Sequence, residues 1–214
     1  MLKKIKNVNR IFAIGLNYIS HINNSNAPLP QSPELFIMPQ STLNQNNGNV
    51  FLPSYAYKYD YEGELVTIIG QECYNVSVNE AKKYIWGYTI GNDITARDLQ
   101  FKGSQWFLGK SLDGFSPISD YGLPQKEFDF NHAKLITKRN GKIVQNSLVN
   151  DMLFKPAEII SYLSKFICLY PGDLIFCGTP GGVILEQTNP KWLSAGEKVE
   201  VHMSQLVTLS STFN

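Results

Sequence analysis

Two glutamates at spacing two, Glu62 and Glu64, stand just ahead of the run Val66-Thr67-Ile68-Ile69, which Gly70 closes. The run is largely apolar and β-branched, so it reads as the end of a buried strand. In a strand, residues i and i+2 point to one face, which sets the two carboxylates side by side. Like charges that close repel, and desolvation raises the penalty further. A cation between them relieves both. Asp93 follows the short apolar run Ile85 to Ile90 and is the candidate third oxygen ligand. Three carboxylates with no Cys or His nearby suit Mg²⁺, Mn²⁺ or Ca²⁺ better than zinc. The alternative is the solvated face of an edge strand.

Other side chains could act on a ligand beside such a cation. His21 sits at a strand-to-loop junction, where a histidine is either a turn residue or a base. Arg97 lies four residues after Asp93 and three before Gln100, so a helical turn would bring them near one another. Arg97 reads equally as a surface ion pair with Asp93 or Asp98. Lys110, within Trp106-Phe107-Leu108-Gly109-Lys110-Ser111, either snorkels to solvent or is held toward a carboxylate. The loop Gly178-Thr179-Pro180-Gly181-Gly182-Val183 is glycine-rich like a phosphate cradle, but lacks the Gly-Lys-Ser/Thr ending. It reads as a tight turn or a ligand loop.

Four stretches together carry a resemblance: Tyr61-Glu62-Gly63-Glu64-Leu65, the segment from Gly87 through Asn92-Asp93-Ile94-Thr95-Ala96-Arg97-Asp98 to Gln100, Gly109-Lys110-Ser111, and Gly172-Asp173 through Gly178-Thr179-Pro180. In order and spacing this set resembles the fumarylacetoacetate hydrolase family, from about Gly15 to the last residue. The resemblance implies a metal held by Glu62, Glu64 and Asp93, and substrate contacts from Arg97, Gln100, Lys110 and Thr179. It implies that Lys110 reaches the substrate's carboxylate or carbonyl, and that Thr179 offers its hydroxyl to a carboxylate. His21 matches a histidine that activates water together with a glutamate three residues later. Here that place holds Asn24, and Met38 stands where many members carry lysine. With Asn24 unable to take a proton, His21 is expected to lack an orienting partner, and Asn24→Glu is expected to raise hydrolysis.

The elements that must position these groups follow from pattern. Ile11-Phe12-Ala13-Ile14-Gly15 and Leu35-Phe36-Ile37-Met38-Pro39 read as strands. Three Asn and three Pro between Asn23 and Pro33 argue against a long helix there. The Asn-rich patch 44–49 reads as a loop, and 51–61, with four tyrosines, as a strand or loop walling the carboxylates. Residues 79–85 predict a short helical turn capped by Asn79, and 95–100 a further turn. Asn140-Gly141 between alternating segments predicts a hairpin over 134–144. Apolar residues 159, 160, 163 and 166 at helical spacing behind Pro156 predict a scaffold helix. Leu174 to Cys177 predicts a buried strand, and 197–203 a polar-out strand that completes the fold.

With 214 residues the chain is expected to form a single catalytic domain, with 1–50 as N-terminal strands and lid segment and 51–214 as the metal-site core. Nineteen Lys+Arg against 18 Asp+Glu give no basic surface for nucleic acid or membrane. Three cysteines without a C-x-x-C pair suggest reduced thiols and a cytoplasmic location, with Cys168 and Cys177 as packing. No signal peptide or membrane span is expected.

Many short strands, few helices and frequent Gly/Pro turns predict a β-rich α+β fold. The resemblance implies a mixed β-sandwich roll and a homodimer. It implies a Mg²⁺- or Mn²⁺-dependent hydrolase that cleaves a C–C bond in a small 2-oxo acid of the acylpyruvate type, through a metal-stabilised enolate. The alternatives are an oxaloacetate decarboxylase, a keto–enol tautomerase or isomerase, or a catalytically impaired 2-oxo-acid-binding protein.

Overall fold

The computed structural model describes residues 1–25, 27–44 and 48–214. The apolar β-branched runs pair into a seven-stranded sheet. Its strand order is Lys3–Lys4, Tyr121–Pro124, Ile85–Asn92, Gly63–Ile69, Leu174–Phe176, Ile11–Gly15 and Glu34–Met38. Neighbours run antiparallel except Leu174–Phe176 and Ile11–Gly15, which are parallel. A five-stranded sheet follows the order Lys142–Leu148, Lys134–Arg139, Lys198–Met203, Leu209–Phe213 and Asn49–Val50. The expected hairpin is present, with Asn140 and Gly141 at φ +49° and +79°. Both values suit a type I′ turn, whose twist matches the flanking strands.

The two sheets share one apolar layer. Phe12, Leu65, Ile90 and Ile175 of the first meet Leu135, Val201, Met203 and Leu209 of the second in a single buried cluster. At Gly63 the sheets come so close that a β-carbon would lie 2.2 Å from the Thr137 hydroxyl. Gly63 thus faces the second sheet, and alternation turns Glu62 and Glu64 away from it. The chain is a β-rich α+β molecule, as its strand pattern predicts, and of sandwich form, as the resemblance implies.

The helix Pro156–Ser164 buries Ile159, Ile160 and Leu163 against that cluster. Glu158 accepts from the Lys155 N–H at 2.7 Å, a capping contact at its start. Phe166 departs from expectation: the helix ends at Ser164, and Phe166 turns out to solvent beside Tyr162. The turn at Val78–Ala81 is preceded by Ser77, not capped by Asn79, and the Ser77 hydroxyl binds the Glu80 side chain. A final strand, Leu209–Phe213, continues the sheet beyond the one expected to end it. Within the Asn-rich patch, Asn44 and Asn49 lie in two-residue strands, and residues 45–47 fall outside the described residues. All three cysteines are free, with Cys73 and Cys177 buried and Cys168 half-buried near Glu72. Among the described residues, no helix is long and apolar enough to cross a membrane.

Candidate active site

Register assembles the carboxylates. Gly63 pairs with Asn92 across the two central strands, so Asp93 emerges opposite Glu62. The Asp93 N–H donates to Glu62 O at 2.9 Å, and the Glu62 N–H to the Asn92 side-chain oxygen at 2.9 Å. One oxygen each of Glu62, Glu64 and Asp93 lies within 4.8 Å of the others. All three residues are buried, at 6, 1 and 1% exposure. The edge-strand alternative fails on that burial.

Two cations meet this cluster. Lys110, at the end of the short helix Phe107–Lys110, sets its ammonium 2.5 Å from Glu62 Oε2 and 2.7 Å from Asp93 Oδ2. Arg97, opening the turn Arg97–Gln100, ion-pairs through Nη2 with Glu62 Oε1 at 2.6 Å and Asp60 Oδ2 at 2.8 Å, and donates from Nε to Asp60 Oδ2 at 2.9 Å and from Nη1 to Gln100 Oε1 at 3.0 Å. It pairs with neither Asp93 nor Asp98. Asp98 instead accepts from the Lys58 N–H. Lys110 and Arg97 are each 3% exposed, so neither reading as a solvent-facing cation holds.

The charges do not balance without a guest. Asp60, Glu62, Glu64 and Asp93 are four buried carboxylates against the two cations, a formal deficit of two charges. Burial presses the Glu62 carboxyl up, but Lys110 and Arg97 outweigh it and hold the group at about 2. Glu64 lies on the far side of that compensation. Burial, then Asp93 and Glu62, push its carboxyl well above the usual range. Asp93 rises to about 6, first from burial, despite Lys110. The buried Asp93 Oδ1 has no hydrogen-bond partner. An orphaned buried carboxylate oxygen beside two further carboxylates fits a hard divalent ion, which also supplies the missing charge.

The surroundings of His21 are assembled from far apart in the chain. His21 lies on the six-residue helix Ile19–Asn24 and is 7% exposed. Its Nδ1 is 2.5 Å from Glu186 Oε1. Glu186 closes the turn Ile184–Glu186, and its other oxygen accepts from Gly182 N–H at 2.7 Å and Asn24 Nδ2 at 2.9 Å. The expectation that Asn24 leaves His21 without a carboxylate is therefore overturned. Glu186 provides one from 165 residues away, and Asn24 helps to hold it.

The glycine-rich loop serves the protein's own carboxylates. Gly178 N–H binds Glu64 at 2.7 Å, Gly182 N–H binds Glu186, and Gly181 N–H binds the Ser20 hydroxyl. Thr179 lines the cavity, but its hydroxyl donates to Gly63 O and accepts from Gln145 Nε2. Met38 is buried among Ile11, Val66 and Phe176, with its sulfur accepting from Ser116.

A cavity of about 230 Å³ opens over these groups. His21, Glu62, Asp93, Arg97, Gln100, Lys110 and Thr179 reach it together. Three residues that sequence reasoning missed complete the site. Asp60 binds Arg97 and also accepts from the Ile184 and Leu185 N–H groups, at 2.8 and 3.0 Å, so it anchors the turn that carries Glu186. Extending the E-x-E pair backward to Asp60-x-Glu62-x-Glu64 was the available signal. Gln145, from the second sheet, clamps Gly63 N–H and Pro180 O. For Gln145 and Glu186 no local signal exists, because their partners are distant in sequence.

Comparison with known proteins finds matches over nearly the whole chain. The family described as fumarylacetoacetate (FAA) hydrolase C-terminal matches residues 10–214. An oxaloacetate tautomerase of Xenopus laevis, mitochondrial by name, is 35% identical over 214 residues, covering 99% of this chain and 67% of its own. The structure of a fumarylpyruvate hydrolase from Pseudomonas aeruginosa in complex with Mn²⁺ and pyruvate superposes with a TM-score of 0.86 at 31% identity. It covers 96% of this chain and 89% of that one. A 5-carboxymethyl-2-hydroxymuconate delta-isomerase from Mycobacterium smegmatis gives 0.85 at 32%, covering 96% and 78%.

Proposed function

This chain belongs to the fumarylacetoacetate hydrolase family, and from that premise we propose that it is a divalent-metal-dependent enzyme hydrolysing a C–C bond in a small acylpyruvate-type 2-oxo acid. Glu62, Glu64 and Asp93 would hold Mg²⁺ or Mn²⁺. The Mn²⁺ and pyruvate named with the Pseudomonas structure support that choice of ion and of ligand head. When bound, such an ion supplies Lewis-acid polarisation of the 2-oxo acid head. The chain's own residues do the rest. Glu186 fixes the His21 tautomer, with Nδ1 turned to the carboxylate, which leaves Nε2 to take a proton from water. Lys110 holds a positive charge at the cavity floor, beside the place where the departing carbon's electrons collect. Gln100 and Arg97 line the wall that orients the head.

The His21–Glu186 pair is the observation that carries hydrolysis over simple enolisation. Enolisation needs only the polarised head and a proton shuttle, whereas hydrolysis needs an oriented base. A keto–enol tautomerase is the second reading, favoured by the name of the Xenopus relative. The two separate in one experiment. With Mn²⁺, Glu186→Gln should lower acylpyruvate hydrolysis by roughly 100-fold or more while oxaloacetate enolisation falls far less. If both rates fall together, or neither does, the base assignment is lost and the tautomerase reading stands first.

A further inference from the structure

The carboxylate cluster carries a charge count that bears on which ion it can hold. Asp60, Glu62, Glu64, Asp93, Arg97 and Lys110 are all buried, so water screens their charges poorly. The two cations are not spread evenly. Lys110 bridges Glu62 and Asp93, and Arg97 bridges Glu62 and Asp60. Among the described residues no cation pairs with Glu64, whose carboxylate accepts from the Gly178 N–H at 2.7 Å. Asp93 keeps one buried oxygen, Oδ1, with no hydrogen-bond partner. Two units of charge are therefore unmet, on the side of Glu64 and Asp93 Oδ1. A divalent ion there brings the cluster to neutrality. A trivalent ion overshoots, and net charge left in a buried site costs free energy. Asp60 takes part in this count without being free to bind an ion. Its two oxygens are taken by Arg97 and by the N–H groups of Tyr61, Ile184 and Leu185.

We propose, resting on the metal reading above, that Lys110 and Asp60 determine the valence of the bound ion. Neither touches it. By charge alone they set the cluster to match one divalent ion and to disfavour a trivalent one. Ca²⁺ and La³⁺ are close in radius and both take oxygen ligands, so the ratio of their affinities reads charge above all. Calorimetry at pH 7 measures both ions on each variant. Lys110→Met removes a cation at similar side-chain length and should raise the preference for La³⁺ by roughly 100-fold. Lys110→Arg should keep the wild-type ratio, and Asp60→Asn should move it roughly tenfold the other way. Should Lys110→Met fail to fold, Lys110→Gln removes the same charge. A ratio that loss of the Lys110 charge leaves unmoved overturns the proposal, because an ion that displaces Lys110 from the carboxylates would not feel its loss. So does equal weakening of both ions, the mark of a residue that only props the cluster, and so does a shift of the same sign in Asp60→Asn. In each of these cases the metal reading stands. If the wild type binds neither ion, nor Mn²⁺, the metal reading falls and this proposal falls with it.

Discussion

The carboxylate cluster, the floor, and the His21–Glu186 pair, the proposed base, are held in opposite ways. Glu62, Glu64 and Asp93 sit on or beside two adjacent strands, and the pairing of Gly63 with Asn92 sets their spacing. His21 and Glu186 instead ride on a six-residue helix and a three-residue turn, joined by side-chain contacts across 165 residues. The floor is positioned by a backbone ladder, so its geometry survives side-chain change while its charge does not. The base is positioned by side chains, so a neighbour's substitution can move it. Charge substitutions should therefore dominate at the floor, and geometric ones at the base.

The largest effect is expected where charge alone changes. Glu64→Gln keeps an acceptor for the Gly178 N–H but removes one carboxylate from the set. In the wild type, Mn²⁺ at about 100 times its dissociation constant should stabilise the fold by about 2.7 kcal/mol. In Glu64→Gln that thermal shift should vanish, and activity should fall by roughly 1,000-fold or more. The metal-free variant should be no less stable than wild type, since a buried like-charged neighbour is gone. A retained Mn²⁺ shift would remove Glu64 from the ligand set.

Asp60 joins the two regions, and Asp60→Asn tests how separate they are. The wild-type carboxylate accepts from Arg97 and from the N–H groups of Ile184 and Leu185. Breaking a buried charge pair on one side costs about 3–5 kcal/mol. The variant should lose stability on that scale, and both the Mn²⁺ shift and the hydrolysis rate should drop. If hydrolysis falls with the Mn²⁺ shift intact, floor and base do not communicate through Asp60.

The same contrast explains what could be read in advance. The floor was legible because strand alternation and register are local rules: Glu62 and Glu64 at spacing two, and Asp93 at the end of the next apolar run. The hairpin at Asn140-Gly141 and most of the scaffold helix were legible for the same reason. Helix ends were less so. Phe166 has the right spacing, but the helix stops two residues before it, and nothing in the apolar pattern marks that stop. The base was illegible. Reading His21 against the residue three positions on gave Asn24 and a deficit, whereas the carboxylate arrives on a turn positioned by Asp60 and Gly182. Pairing between loops leaves no period to detect.

Asn24→Glu now carries the opposite expectation to the one its sequence position suggests. Asn24 Nδ2 donates to Glu186 Oε2 at 2.9 Å. A glutamate there would place a carboxylate against a carboxylate and push Glu186 off His21. Hydrolysis should fall by roughly tenfold through misplacement of the base, with the Mn²⁺ shift unchanged. A rise in rate would show that position 24 can replace Glu186.

The smallest effect is expected in a charged cluster that does not line the cavity, on the second sheet. Glu197 accepts two bonds from Arg139, at 2.8 and 2.7 Å, one from Asn140 Nδ2 and one from Ser194 N–H. Burial alone would raise its carboxyl, but these donors hold it below its ordinary value. A carboxyl depressed by folding adds stability that is complete above its unfolded value, about 4.5, and is lost as pH falls through the folded one. Glu197→Gln should therefore be less stable than wild type by about 1–2 kcal/mol at neutral pH. The gap should close as the pH drops below about 4.5. Denaturant melts across pH measure it, and Mn²⁺ shift and hydrolysis should not change. The chemistry matches that of the floor, a carboxylate gripped by arginine, yet every oxygen here is satisfied and no charge is missing. A gap that persists at low pH would assign the stabilisation to packing, and a change in activity would make the second sheet more than support for the site.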